Sequence, residues 1–529
     1  MMNDVGAPAR LSDQKVLLYV ALVTSMVLVV TVNGQFYDSN LFAMTGAQSL
    51  LSGDLPFRDY FEPGGPLAAF TAAGMQLLTG HRLLGEFLRQ WAFIIAGTVI
   101  ACHVGLQLSR SAGAVLAMLP VTLFLLASEP TYHYPKLFFF PAMIWAGCRY
   151  LDRPDPRRAA VVGLISALGF LERHDLGIYL GFASVVACVL ARAAVPSSRA
   201  PRALVQDIAA YAGAVLLVTA PWMVFVQAYE GLLNYTRARS ALYQGAHPIY
   251  ASLFRLDPLP DLLRWRLPSR DLVAEWLQRM ALLLPVALIV SAAAATARAI
   301  RRAEPVHPHV WKYLFAGMLL AVLGEGLIRQ PSYVVVVAPV TASLASVFLV
   351  SKFTAVRAVT GLLVVISTVL TGMSIPASPL LHPLGYPEQL VKAFRRLTES
   401  PPTYPAIEFE YVRRCTNPTD HVLVAGKNPL HVSYFSQRPI AGGQINWHLR
   451  WLSDPEHEQR ALQLLERQSV PIVVSRDEPA MREFAAYPTI AAYLRANYRE
   501  LEGTKGQILV DRRRQPTRRF EPAGYPCFS

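Results

Sequence analysis

Over the first 375 positions, apolar residues fall in long unbroken runs rather than at helical or strand intervals. Val16–Val32 is the first, and others lie near 90–108, 112–128, 136–151, 159–171, 176–194, 207–227, 279–298, 311–328, 331–350 and 354–375, eleven in all. Each is long enough to cross ~30 Å of hydrocarbon as a helix, with 159–171 drawing on its flanks. Pro66–Thr79 is equally apolar but has only 14 residues, which suits an interfacial or re-entrant helix. Val16–Val32 follows Arg10 and Lys15, and no small-x-small cleavage site comes after it. It is therefore read as a retained first helix rather than a signal peptide.

From about residue 376 the pattern changes. His421–Gly426, Pro471–Ser475 and Gly506–Asp511 read as short buried strands, and Glu456–Arg467 and Glu478–Arg495 as helices. Strands alternating with helices predict a small α/β domain. The expected division is a membrane domain over 1–375 and an α/β domain over 376–529. The latter carries no GxGxxG or P-loop that would mark a nucleotide site.

The chain is 53% hydrophobic and only 16% charged, against ~25% charged for a soluble globular protein. This excludes a disordered chain and a purely soluble enzyme. The net charge of +13 does not point to nucleic acid, because membrane proteins collect Lys and Arg in cytoplasmic loops. With the N-terminus inside, the inner segments hold Arg10, Lys15, Arg110, Arg149, Arg153, Arg157, Arg158, Arg192, Arg199, Arg202, Arg298, Arg301, Arg302, Lys312, Lys352 and Arg357, sixteen cations. The three short outer turns hold only Lys136, Arg173 and Arg329. An odd number of crossings then puts the C-terminal domain outside. One outer loop, 228–278, departs from the rule with six arginines, and its interleaved aromatics suit a helix lying on the membrane surface.

The segment after the first run reads Gln35-Phe36-Tyr37-Asp38-Ser39-Asn40, and further on Gly53-Asp54-Leu55-Pro56-Phe57-Arg58-Asp59-Tyr60-Phe61-Glu62-Pro63-Gly64-Gly65-Pro66-Leu67. Four carboxylates, Asp38, Asp54, Asp59 and Glu62, thus fall in one loop at the membrane edge. This pattern resembles the GT-C glycosyltransferases, in particular the branch with protein O-mannosyltransferases, the lipid A aminoarabinose transferase and rhizobial galacturonosyltransferases. The resemblance extends through Glu86-Phe87-Leu88-Arg89 and, more weakly, Glu172–Gly177 and Leu327–Tyr333. It implies a mainly α, polytopic GT-C fold. It also implies sugar transfer from a polyprenyl-phosphate-linked donor to an envelope glycan, lipid or protein acceptor on the outer face of the inner membrane. The family's first-loop Asp maps onto Asp38. Many members carry a second acid beside it, whereas Ser39 follows here. No metal site is assigned, and a divalent ion is left open without a residue set to support it.

The residues themselves allow this chemistry. A carboxylate at the membrane edge can act as the general base for an acceptor hydroxyl, since partial burial raises its pKa. Asp38 is the candidate base; the alternative is an N-cap of the helix that follows. Asp59 and Glu62 flank a Pro-Gly turn and either contact sugar hydroxyls or simply rigidify it. Glu172, Arg173 and Asp175 crowd a boundary between two apolar runs, where ionisable groups usually face a cavity. Arg173 suits a donor phosphate; the alternative is an internally paired anchor. Lys136 and Arg329 are further outer-edge cations that either stabilise the leaving phosphate or snorkel to headgroups.

A multi-pass transporter or lipid flippase is the other class considered, although the internal repeats such folds often show are not visible. A non-catalytic scaffold is a third. Cys102, Cys148 and Cys188 fall in apolar runs, while Cys415 and Cys527 fall in the outer domain. In an oxidising compartment these two are candidates for a disulfide, provided their Cα atoms lie within about 7 Å.

Overall fold

The computed structural model describes residues 9–31, 38–61, 65–128, 134–194, 201–237, 270–302, 306, 308–329, 334–350, 354, 356–362, 364–365, 386–400, 402, 407–426, 429–444, 447, 453–475 and 478–529. Glu62, most of the 228–278 loop and most of the 354–375 run lie outside them, as do the side chains of Asp38 and Arg329.

Nine helices open the described chain: α1 (Ala9–Val30), α2 (Asp38–Leu51), α3 (Pro66–Thr79), α4 (Leu83–Ser109), α5 (Ala112–Ser128), α6 (Pro135–Asp152), α7 (Pro156–Glu172), α8 (His174–Ala194) and α9 (Pro201–Tyr229). Helices Arg270–Arg301, Pro308–Arg329 and Val334–Leu349 follow. Apart from α2, these correspond to the apolar stretches up to residue 350, because a continuous apolar stretch has no cheaper way to satisfy its backbone in hydrocarbon than helix. Among the described residues, Asp13–Val30, Leu83–Ser109, His174–Ala191 and Arg202–Tyr229 are long and apolar enough to cross a membrane, and Ala112–Leu123 and Pro339–Leu349 are shorter apolar helices.

By packing, the chain forms two units, each discontinuous in sequence. The first takes 1–33, 90–220 and 250–393. It is a helical bundle with Phe139, Phe140, Met143, Leu176, Leu180, Phe315 and Leu319 at its centre. Gly97 of α4 lets that helix lie on α6, since a Cβ there would fall 1.9 Å from the Leu137 carbonyl oxygen. The outer faces are apolar as well: Leu18, Leu22 and Met26 on α1 and Ile178, Val185 and Val189 on α8 are each more than half exposed. Such a surface suits hydrocarbon, not water. Small polar groups join the helices from within, as where the Ser166 and Ser184 hydroxyls share a 3.1 Å hydrogen bond.

The second unit takes 34–89, 221–249 and 394–529. The segment after the first helix therefore packs with the C-terminal region. Within it, α3 starts at Pro66 after Gly65 and stops at Gly80, a left-handed residue with φ 67°. Ala72 and Ala73 pack with the small residues Ala43 and Ala47 of α2, while Phe70, Leu77 and Leu78 stay exposed.

The C-terminal region holds a four-stranded sheet of β1 (Val422–Ala425), β2 (Ile472–Ser475), β3 (Tyr498–Glu500) and β4 (Ile508–Asp511), in the order β1-β2-β4-β3. β1 and β2 are parallel and the other pairings antiparallel. A hairpin of β5 (Arg518–Phe520) and β6 (Tyr525–Cys527) follows. The expected helix over 478–495 is broken into Ala480–Glu483, a 3-10 turn over Phe484–Ala486, and Pro488–Asn497. Pro488 is the reason: Tyr487 before it is pushed to φ −126°, ψ 77°, outside the helical region. Cys415 and Cys527 form a disulfide with Cα atoms 4.2 Å apart, so that pairing is present. Tyr411 reinforces it, its hydroxyl donating to the Pro526 carbonyl at 2.7 Å.

Candidate functional site

The candidate residues divide between the two units. In the helical bundle, α7 and α8 are joined by a single residue, Arg173, whose backbone is extended at φ −163°, ψ 123°. This sharp reversal leaves Glu172, Arg173, His174 and Asp175 together at one end of the hairpin. The Arg173 Nε donates to Asp175 Oδ1 at 2.7 Å, and Lys136 Nζ of α6 lies 3.7 Å from Asp175 Oδ2. The Leu176 N–H also donates to Asp175 Oδ1, at 2.8 Å. Lys136 is 3% exposed, and Arg173 and Asp175 remain partly open at 25% and 20%. Glu172 is buried beside them, and the His174 ring meets Phe170 edge-on at 4.4 Å. Three of the expected residues, Lys136, Arg173 and Asp175, are thus in direct contact, two cations on one carboxylate. A phosphate could exchange with that carboxylate for both cations.

In the second unit, Asp38 is the first residue of α2. Asp59 turns inward on its own loop: Oδ2 accepts from the Leu55 N–H at 2.8 Å and from Arg58 Nε at 2.7 Å. Those bonds close the turn Pro56–Tyr60, whose Phe57 N–H donates to the Tyr60 carbonyl at 2.6 Å. Asp54 meets His421 Nε2 at 3.2 Å. Glu86 and Arg89 form a buried pair at 3.0 Å, and Arg89 also donates to the Ala68 carbonyl (3.2 Å) and Thr71 Oγ1 (3.1 Å), tying α4 to α3.

Several contributors were not among the expected site residues. Phe57 is fully buried, and its ring meets Tyr235 at 5.2 Å and Trp222 at 6.2 Å, both edge-on. The Phe61 N–H donates to the Gly443 carbonyl at 2.7 Å. Gly443, at φ 69°, permits this approach, since a Cβ there would meet the Asp59 carbonyl oxygen at 3.0 Å. Arg460 donates to the Phe57 carbonyl and faces Glu230 Oε2 at 3.7 Å. Burial raises the Glu230 carboxyl above its ordinary pKa, although Arg460 and His457 pull it the other way. Only a double glycine at 442–443 was available as a sequence signal for this contact. Among the described residues no group of three or more His, Cys, Asp or Glu side chains is placed to hold a metal ion.

No family model matches the chain, and no curated protein matches it. Among solved structures it is similar to ArnT from Cupriavidus metallidurans in the apo state, with 13% identity, 93% of this chain and 97% of that chain covered, and a TM-score of 0.47. It is also similar to the same protein bound to undecaprenyl phosphate, with equal identity and coverage and a TM-score of 0.44. A likeness at this level carries no argument about what this chain does.

Proposed function

We propose that the protein is an integral-membrane glycosyltransferase of the GT-C type, moving a sugar from a polyprenyl phosphate to an envelope glycan, lipid or protein. The observation that carries this reading is the acidic loop directly after the first apolar helix, Asp38 followed by Gly53–Leu67. In the proposed step the acceptor oxygen attacks the anomeric carbon and its proton passes to the Asp38 carboxylate. The bond from that carbon to the phosphate oxygen breaks, and its electron pair leaves with the polyprenyl phosphate. Lys136 and Arg173 stabilise that leaving charge, and Asp175 holds both cations in place until the phosphate arrives. Attack from the face opposite the leaving group makes the transfer inverting. Glu62, Glu172 and Arg329 are assigned to substrate contacts in the same reading, and Asp59 to the conformation of its own loop.

The reaction is assigned to the outer face of the inner membrane, with the N-terminus in the cytoplasm and the α/β region outside. The sixteen-to-three division of cations supports that orientation. The Cys415–Cys527 disulfide supports it independently, because such bonds persist in oxidising compartments. The membrane domain of this reading spans 1–375 and the outer domain 376–529.

The test uses the purified full-length protein and radiolabelled undecaprenyl-phosphate-linked mannose, galacturonic acid and 4-amino-4-deoxyarabinose. Membranes from a deletion strain serve as acceptor. Label passing to the membranes from one of these donors, and lost in Asp38→Asn, is the expected result. Absence of transfer from all of them together with an unchanged glycolipid profile in the deletion strain would overturn the reading.

A further inference from the structure

Phe57 is a buried aromatic residue in the left-handed backbone region, at φ 66°. That conformation is uncommon for a residue with a Cβ, and persists where the surroundings over-determine it. Three sets of contacts do so here. The Phe57 N–H is bound to the Tyr60 carbonyl, and the ring is enclosed by Trp222, Tyr235 and Phe61. The carbonyl accepts from the Arg460 guanidinium.

Arg460 belongs to the helix Pro455–Arg467, 403 residues away in sequence. That helix is firmly placed: Asp454 caps it by accepting from the His457 N–H at 3.2 Å, and Glu458 accepts from the Thr489 N–H at 2.8 Å. The other side of the Arg460 guanidinium faces Glu230, a carboxylate whose side chain is only 3% exposed, in the turn that ends α9. Gly231 in that turn is left-handed at φ 81°, and its N–H returns to the Val226 carbonyl at 2.9 Å. One guanidinium therefore spans two segments that no short-range contact would register, the acidic loop and the end of α9. A planar fork with several donors can do this; an ammonium has no second fixed arm.

We infer that Arg460 is a positioning residue for the transfer reaction, and that the C-terminal α/β region acts as the clamp that holds the acidic loop in register. This inference rests on the proposed glycosyltransferase activity. Through the Phe57 carbonyl, Arg460 fixes the turn between Asp54 and Asp59, and Phe61 on Gly443 fixes the exit of that turn. This bond is one of the three that hold the strained conformation at Phe57 and the one made by the α/β region, so loss of Arg460 loosens the loop without unfolding the sheet.

The test compares Arg460→Ala and Arg460→Lys with the wild type in full-length protein. Arg482→Ala serves as a control, because it removes an exposed ion pair with Glu478 elsewhere in the same region. Hydrogen exchange should rise about tenfold or more at 57–61 in Arg460→Ala and stay unchanged in β1 and β2, as expected when a local rather than global opening becomes easier. With the three radiolabelled undecaprenyl-phosphate sugars, kcat should fall about tenfold or more while KM for the donor changes by less than about threefold, the signature of lost alignment. Arg460→Lys should fall between the two, and it keeps the test valid if the alanine variant does not fold. Exchange that stays flat at 57–61 in both variants, or kcat equal to wild type in both, overturns the inference. A wild-type protein that transfers none of the three sugars, with an unchanged glycolipid profile in the deletion strain, overturns the underlying activity instead, and the exchange result then still decides whether the clamp exists.

Discussion

The acidic loop at 53–61 and the α7–α8 reversal at 172–175 are both short, charged segments beside apolar helices, yet they use their charges differently. In the loop, Asp59 is engaged by its own Leu55 N–H and Arg58, and Asp54 by His421. Its aromatic residues, Phe57, Tyr60 and Phe61, are all buried. In the reversal, two cations converge on one carboxylate, and both Arg173 and Asp175 stay partly open. The segment richer in motif thus devotes most of its residues to its own conformation. The segment with almost no motif concentrates charge that a ligand can compete for. A recognisable sequence signature in a loop can therefore mark the scaffold of a site as much as its chemistry.

The largest expected effect separates Asp38 from the other loop acids. Asp38→Asn should insert normally and lose about 10²–10⁴-fold in transfer rate, the usual loss when a general base is removed; the radiolabel assay measures it. Near-full turnover would move the base to Glu172 or Asp175. Next, Lys136→Met should reduce kcat about 10²-fold, in the range of a lost transition-state charge partner, since it leaves Asp175 to Arg173 alone. A change confined to thermal stability would make the reversal a structural anchor and dissolve the contrast with the loop.

The C-terminal region offers two smaller measurements. Cys527→Ser opens a loop of 112-residue separation and should cost about 2–4 kcal/mol of that region's stability. A downward shift of its thermal midpoint, matched by reductant on the wild type, would check this. Asp59→Asn keeps an acceptor for the Leu55 N–H but gives up the ion pair with Arg58, which is 41% exposed. Pairs that open to solvent contribute ~0–1 kcal/mol, so activity should stay within about threefold of wild type. A loss as large as that of Asp38→Asn would show Asp59 to be a substrate ligand and would break the comparison from the other side.

One further effect depends on pH. Burial raises the Asp454 carboxyl, but the His457 side-chain and backbone hydrogen bonds outweigh it, and its pKa is lowered. A depressed carboxyl contributes stability that is present above its unfolded pKa of ~3.9 and is lost as pH falls through the folded value. Asp454→Ala should therefore cost about 0.5–2 kcal/mol near neutrality. The difference from wild type should shrink in acid, measurable as converging thermal midpoints.

Much of the fold was legible because its signals are local. Apolar runs set α1 and α4–α9, with helix starts up to seven residues earlier than the runs, and the Gly-Pro start and the 14-residue length of α3 were both readable. β1, β2 and β4 could be read because all four residues of each are buried, so they appear as continuous apolar stretches. β3, β5 and β6 were not read: they are three residues long, and two of them are largely charged and exposed. Pairing with a neighbour, not composition, makes them strands.

The candidate site divides in the same way. Residue types, spacing and the charge balance of the loops were determined by the sequence alone, because membrane insertion and helix formation depend on nearby residues. Which charges meet was decided only by the tertiary structure. Lys136 reaches Asp175 across 39 positions, and Arg460 reaches Phe57 across 403. Gly443 admits the Phe61 N–H only because two distant backbones approach closely there. Such contacts form where packing brings remote segments together, and no periodicity along the chain records which segments those are.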